Sequence, residues 1–251
     1  MRADRLAAIL DRIAQESSVD VTRLARKLDV SGATIRRDLQ TLHEQGLLVR
    51  THGGAVAGNV GLELPIRYKE ARQQSEKRRI GAAAARLVTD GAVAGLSGGT
   101  TATEVARALA RRRDITVVTN AVNIAAELVL RPNIKLVVVG GNARHASYEL
   151  VGPSAEEMLG KYHLDVAFIG VDGLTVDEGC TTHDEMEAHT DHAFIRRCRR
   201  TIVVSDSTKI GRVTFARICG IGEVTDVVTD AGPDGVELER LREAGVNVIQ
   251  A

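Results

Sequence analysis

The chain has 251 residues, 44% of them hydrophobic, enough for a packed core and too many for a disordered or low-complexity chain. No apolar run approaches the roughly 18 residues of a membrane helix, and Met1-Arg2-Ala3-Asp4-Arg5 leads into an amphipathic segment rather than a signal-peptide core, so a cytoplasmic protein with no membrane partner is expected. Net charge is zero, yet residues 1–80 hold 15 Lys/Arg against 10 Asp/Glu and residues 81–251 hold 18 against 23; a basic head on an acidic body directs a polyanionic partner to the head.

Leu6, Ile9, Leu10 and Ile13 recur at helical spacing and predict a first helix from about residue 3 to 16. A short helix follows over about 21–28, with Asp20 as its N-cap. After a tight turn at Asp29-Val30, Ser31 caps a third helix over about 32–45 that turns Ile35, Leu39 and Leu42 inward and stops at Gly46. Leu47–Arg50 and Ala55–Ala57 read as two strands joined through Gly53-Gly54. Three helices and a hairpin describe a winged helix-turn-helix over residues 1–57. On the third helix, Ala33, Arg37, Gln40, Thr41 and Glu44 share the side opposite the apolar stripe, flanked by Thr34 and Arg36. Small residues near the helix start let it enter a major groove, and Arg and Gln reach base edges. Arg50, Thr51 and His52 stand where a wing meets the DNA backbone or minor groove.

Residues 58–80 read as the join: Gly58, Gly61 and Pro65 break structure, and 67–79 is a charged helix or linker. From residue 81 the pattern changes. Apolar runs at 92–96, 115–118, 136–139, 166–169, 201–204, 227–229 and 246–249 alternate with helical segments. Runs apolar at nearly every position belong to parallel strands buried on both faces, so 81–251 is expected to be an α/β domain with a Rossmann-like open parallel sheet. Five polar turns follow its first five strands: Ser97-Gly98-Gly99-Thr100-Thr101, Thr119-Asn120, Gly140-Gly141-Asn142-Ala143-Arg144, Gly170-Val171-Asp172-Gly173 and Asp206-Ser207-Thr208-Lys209. All lie at the C-terminal strand edge, where such sheets bind ligands. A glycine-rich turn opening a helix presents free N–H groups and a positive dipole end to an anion. Any one of these alone is an ordinary turn or helix cap.

The head sequence Val30-Ser31-Gly32-Ala33-Thr34-Ile35-Arg36-Arg37-Asp38-Leu39, followed by Gly46, Leu48, Arg50 and His52-Gly53-Gly54-Ala55, resembles the DeoR family of bacterial transcription regulators. The likeness continues through Ser97–Thr101, Thr119-Asn120, Gly140-Gly141, Arg144, Gly152, Asp165, Phe168–Gly170, Asp172-Gly173, Glu187, Asp206-Ser207 and Lys209. It implies a DNA-binding repressor of carbohydrate or nucleoside genes with a sugar-phosphate-isomerase-like effector domain, released by a phosphorylated metabolite, with no resident cofactor. The first loop would cradle the phosphate, while Asp172, Glu187 and Lys209 would face the sugar. One departure stands out: four residues after Glu187, where the family often has Lys, this chain has Asp191. A homodimer or homotetramer is expected, since one head reads few base pairs.

Three rival readings arise. A sugar-phosphate isomerase with a DNA-binding head would use Asp172 and Glu187 to move a proton and Lys209 to hold phosphate, but Asp191 stands where a basic contact is needed. Gly95-Leu96-Ser97-Gly98-Gly99 fits a nucleophile elbow, yet no His follows His192 to complete a late triad. His189 and His192 at i, i+3 have metal-ligand spacing within an acidic helix start. Cys180, Cys198 and Cys219 lack CxxC spacing and read as small hydrophobes.

Overall fold

A computed structural model describes residues 2–16, 18–57, 63–70, 72–230 and 235–251. It falls into two compact units that divide between Arg72 and Gln73.

In the first unit the helices are α1 (Arg2–Glu16), α2 (Val21–Lys27) and α3 (Gly32–Glu44), with β1 (Ser18–Asp20), β2 (Leu48–Arg50) and β3 (Gly54–Ala57). The two expected caps are present: the Asp20 carboxylate accepts from Arg23 N at 3.0 Å, and Ser31 Oγ from Thr34 N at 3.1 Å. Leu6, Ile9, Leu10 and Ile13 of α1 pack with Leu24, Ile35, Leu39 and Leu42 in one core. The wing has one strand more than the sequence pattern predicts. β1, only three residues long, pairs antiparallel with β3, which also pairs with β2. That crossing explains Gly54, whose Cβ would lie 1.8 Å from Val19 O.

The boundary between the two units falls within the join expected over 58–80, with a helix on each side of it. Residues 58–62, including Gly58 and Gly61, lie outside the described residues. Beyond them, α4 (Ile66–Lys69) belongs to the first unit, with Ile66 and Tyr68 buried and Tyr68 part of the head core. The Tyr68 hydroxyl donates to Gln45 Oε1 at 2.6 Å. α5 (Gln74–Ala85) belongs to the second unit, with Ile80 fully buried in its core. Most charges between Arg67 and Arg79 line the solvent sides of both helices and hide the few apolar anchors, although Lys77 is buried.

The second unit continues with β4 (Val93–Leu96), α6 (Thr100–Leu109), β5 (Ile115–Thr119), α7 (Val122–Leu128), β6 (Ile134–Val138), β7 (Asn142–Arg144), β8 (Glu149–Val151), α8 (Pro153–Leu159), β9 (Val166–Gly170), β10 (Gly173–Thr175), β11 (Gly179–Thr182), α9 (Glu185–Arg197), β12 (Thr201–Val204), β13 (Ala216–Cys219), β14 (Asp226–Thr229), α10 (Val236–Glu243) and β15 (Asn247–Gln250). All seven expected strands join one sheet in the order β15-β14-β12-β9-β4-β5-β6, every pair parallel. Alternate residues serve opposite faces. Phe168, Ile202 and Val228 pack with α5, α6 and α7, whereas Ile169, Val203 and Val227 pack with α8, α9 and α10. This double burial is why the strands read as continuous apolar runs. The sheet runs outward from β4 through β5 and β6, then resumes at β9 on β4's other side, so β4 and β9 flank the topological switch point. Two small sheets, β7–β8 and β10–β11–β13, were not legible as strands in the sequence. They carry much of the site.

Candidate functional site

On the head, Ser31, Ala33, Arg36 and Arg37 of the α3 start and outer face are exposed, as are Arg50, Thr51 and His52 of the wing. Thr34, Gln40 and Thr41 are half-buried. Arg2, Arg36, Arg37, Gln40, Thr41 and Arg50 line one shallow concavity. Within it Arg50 Nη1 donates to Gln40 Oε1 at 2.6 Å, and Gln40 Nε2 to Glu44 Oε1 at 2.8 Å. The wing arginine therefore also fixes the amide orientation of the groove-facing Gln40. Asp38, inside the arginine-rich motif, is a residue the sequence reading left without a role. It is buried, and Arg5 of α1 clamps it through Nε at 2.5 Å and Nη2 at 3.3 Å. This ion pair fixes α3 against α1, and no local pattern announces a partner 33 residues away.

In the second unit the switch point is closed by hydrogen bonds. Ser97 N donates to Phe168 O at 3.1 Å, and Gly170 N donates to Ser97 Oγ at 3.0 Å. Ser97 is fully buried, unlike the exposed serine of a nucleophile elbow. Thr119 is committed in the same way: its hydroxyl donates to Leu96 O at 2.8 Å and accepts from Ala121 N at 3.1 Å. Both were expected to face a ligand, and both instead tie strand ends together. Gly141 serves backbone geometry, turning into the β7–β8 hairpin.

The charged residues gather above this edge. Arg144 of β7 donates to Glu187 Oε1 at 3.0 Å and lies 3.1 Å from Asp184 Oδ2. Thr182 Oγ1 donates to Glu187 Oε2 at 2.8 Å. Lys209 Nζ donates to Asp172 Oδ1 at 2.8 Å, with His183 3.9 Å from the other oxygen. So Arg144 pairs with Glu187, and Lys209 with Asp172. Asp184 caps α9, accepting from Met186 N and Glu187 N; burial raises its pKa, but these amides and Arg144 outweigh it and hold it below the ordinary value. The sequence Asp184-Glu185-Met186-Glu187 carried a helix-start signature for that cap.

Glu149 was missed, and it alters the expected phosphate cradle. Its carboxyl lies against Gly98, where a Cβ would be 1.6 Å from Glu149 Oε1. Burial, then Asp191 and Glu187, push this carboxyl well above the usual carboxylate range, against the pull of Arg144 and an Asn120 hydrogen bond. Asn120 is fully buried, and its Nδ2 also donates to Leu150 O at 3.2 Å. A carboxyl group therefore already covers Gly98, while Gly99 and Thr100 are half-buried. Asp191 is buried too, raised by burial and by Glu187, Cys219 and Asp172. His189 is exposed, and His192 pairs with Glu223 at 3.0 Å, so the two histidines do not converge on one ligand.

A winged head presenting an arginine-lined helix, joined to an α/β domain with a polar switch-point edge, defines a DNA-binding transcription regulator. Residues 5–59 match the DeoR-like helix-turn-helix domain and residues 72–231 the DeoR C-terminal sensor domain. The chain belongs to the DeoR family. A protein of Escherichia coli O157:H7 named as a transcriptional repressor of the aga operon is 35% identical over 250 residues, 98% of this chain and 93% of the relative. The HTH-type transcriptional regulator GlpR of Haloferax volcanii is 34% identical over 248 residues, 98% and 97% of the two chains. The glycerol-3-phosphate regulon repressor of Escherichia coli K12 is 31% identical over 232 residues, 92% of each chain.

Proposed function

We propose that the protein is a repressor of carbohydrate-metabolism genes whose operator affinity is set by a phosphorylated sugar bound at the switch-point edge of the sensor domain. The carrying observation is the juxtaposition there of the α6 start with the Arg144–Glu187 and Lys209–Asp172 pairs. The first amides of α6 have no intrahelical acceptor and meet the positive end of the helix dipole, which suits a phosphate at Gly99–Thr101. The carboxylates of Asp172 and Glu187 suit sugar hydroxyls. Names of relatives that refer to glycerol 3-phosphate or to a sugar operon support this reading. The chain acts as a homo-oligomer, so that two heads read paired half-sites.

Ligand changes DNA affinity only by preferring one arrangement of the heads, with a coupling of about 1–3 kcal/mol. The test is an operator shift with and without a panel of sugar phosphates. A wild-type response to one of them, lost in Lys209→Ala and Thr100→Val while both variants still shift operator, is the expected outcome. A full response in both variants places the ligand elsewhere.

A further inference from the structure

Three buried acceptor atoms at this edge have no hydrogen-bond donor among the described residues: Asn120 Oδ1, Glu149 Oε2 and Asp191 Oδ1. None of the three residues is more than 4% exposed. They come from three elements, the end of β5, the start of β8 and the middle of α9. They also share one neighbourhood, since Asn120 donates to the Glu149 carboxyl and Asp191 acts electrostatically on it. The cations of the same edge are engaged with other acids, Lys209 with Asp172 and Arg144 with Asp184 and Glu187.

Buried polar atoms in native proteins are almost always paired, and an exception calls for a partner. Here the missing partner is a donor, and one with positive charge would also turn the two acids into carboxylates. A sugar hydroxyl brings one donor and no charge. An ammonium group brings three donors and a full positive charge. We infer that Asn120, Glu149 and Asp191 seat an ammonium group, so that the ligand of the sensor domain is an amino sugar phosphate. The inference rests on the sugar-phosphate reading above and narrows its ligand class.

A second consequence concerns protons. Asp191 is surrounded by Glu187, Cys219 and Asp172, and Glu149 by Asp191, Glu187 and Arg144. These surroundings favour the protonated acids. An arriving ammonium favours the carboxylates, so the acid O–H protons leave to the buffer while the ammonium keeps its own three. Binding of the amine therefore releases protons, whereas binding of a neutral hydroxyl analogue does not.

The test is calorimetry on the full chain at pH 7, in buffers of different ionisation enthalpy. Three matched pairs serve as probes: glucosamine 6-phosphate with glucose 6-phosphate, and the galacto and manno equivalents. In at least one pair the amino member is expected to bind about tenfold tighter or better, as a charge-assisted contact requires, with net proton release. Asp191→Asn should bring the two members of that pair together; Glu149→Gln gives the same reading if Asp191→Asn fails to fold. Equal binding of both members in every pair overturns the inference and leaves the sugar-phosphate reading standing. So does an amine preference that survives both variants without proton release. No binding by any of the six compounds overturns the sugar-phosphate reading and this inference with it.

Discussion

Arg37 is exposed on α3 one turn before Thr41, whose hydroxyl donates to Arg37 O at 3.0 Å. It has the reach of a base-reading side chain, so Arg37→Ala should cost about 1–3 kcal/mol of operator affinity and blur discrimination between sequences. Arg50 plays a different part. A phosphate contact expected of a wing arginine predicts weaker binding of specific and non-specific DNA alike in Arg50→Ala, with a shallower salt dependence. Because it also holds Gln40, Arg50→Ala should add some loss of specificity. Fluorescence anisotropy with operator and scrambled duplexes across a salt series separates the two; unchanged operator binding in both variants would show that the head docks by another face. Gly98 makes a related point. Its loop reads as a phosphate turn, but what decides its contacts is the Glu149 carboxyl from a strand fifty residues on.

Among elements, the N-terminal edge of the sheet holds the domain together while the opposite edge carries the proposed ligand site. Asp226, at the start of β14, receives Arg200 through two bonds of 2.7 Å and Asn247 Nδ2 at 2.8 Å. Arg200 precedes β12 and Asn247 opens β15, so one buried carboxylate staples three neighbouring strands. Burial raises the Asp226 pKa, but Arg200 and Asn247 outweigh burial and the net shift is downward. An acid lowered on folding contributes stability above its unfolded value, near pH 4, and that contribution is lost as pH falls through the folded value. Asp226→Ala should cost about 2–4 kcal/mol, discounted because Arg200 is partly exposed, and should reduce the acid sensitivity of the domain. Urea unfolding at pH 7 and at pH 3–4 measures both. Its effector response should match that of wild type, since the pair sits at the far edge from the site.

At the scale of the whole molecule, the buried acids give stability the opposite pH slope. Glu149 and Asp191 are raised on folding by burial first and by neighbouring acids second. As pH rises past the ordinary carboxylate range, the unfolded chain releases these protons before the folded one does, so stability falls until the folded values are passed. The melting temperature without ligand should therefore drop as pH rises above the ordinary carboxylate range. A Glu149→Gln, Asp191→Asn double variant should flatten that slope, whereas a slope that survives it would place the titrating groups elsewhere. The assembly makes a separate prediction. Paired half-sites need paired heads, so light scattering at micromolar concentration should show a dimer or larger species. A monomer that keeps tight operator binding would remove the basis for oligomeric action.

By itself the sequence determined whatever depends on local periodicity and local chemistry. The caps at Asp20 and Ser31 and the apolar stripe of α3 were readable because their partners lie within one or two helical turns. All seven sheet strands were readable because burial on both faces makes each one continuously apolar. The five polar turns could be placed on one edge because parallel strands all end on the same side. Only tertiary structure decided which of those turn hydroxyls are engaged within the fold. Ser97 and Thr119 look like ligand contacts in sequence, but the adjacency of β4, β5 and β9 commits their hydroxyls to neighbouring strand ends. β1 was invisible because three residues carry no periodicity, and it shows only in the close approach that demands Gly54. Glu149 stands in a short apolar stretch with nothing nearby to mark it. Burial first, then Asp191 and Glu187 brought in from distant positions, raise the pKa of this acid against the pull of Arg144 and Asn120. Sequence spacing encodes neighbours along a helix or strand, whereas the electrostatics of a site depend on which elements the fold brings together.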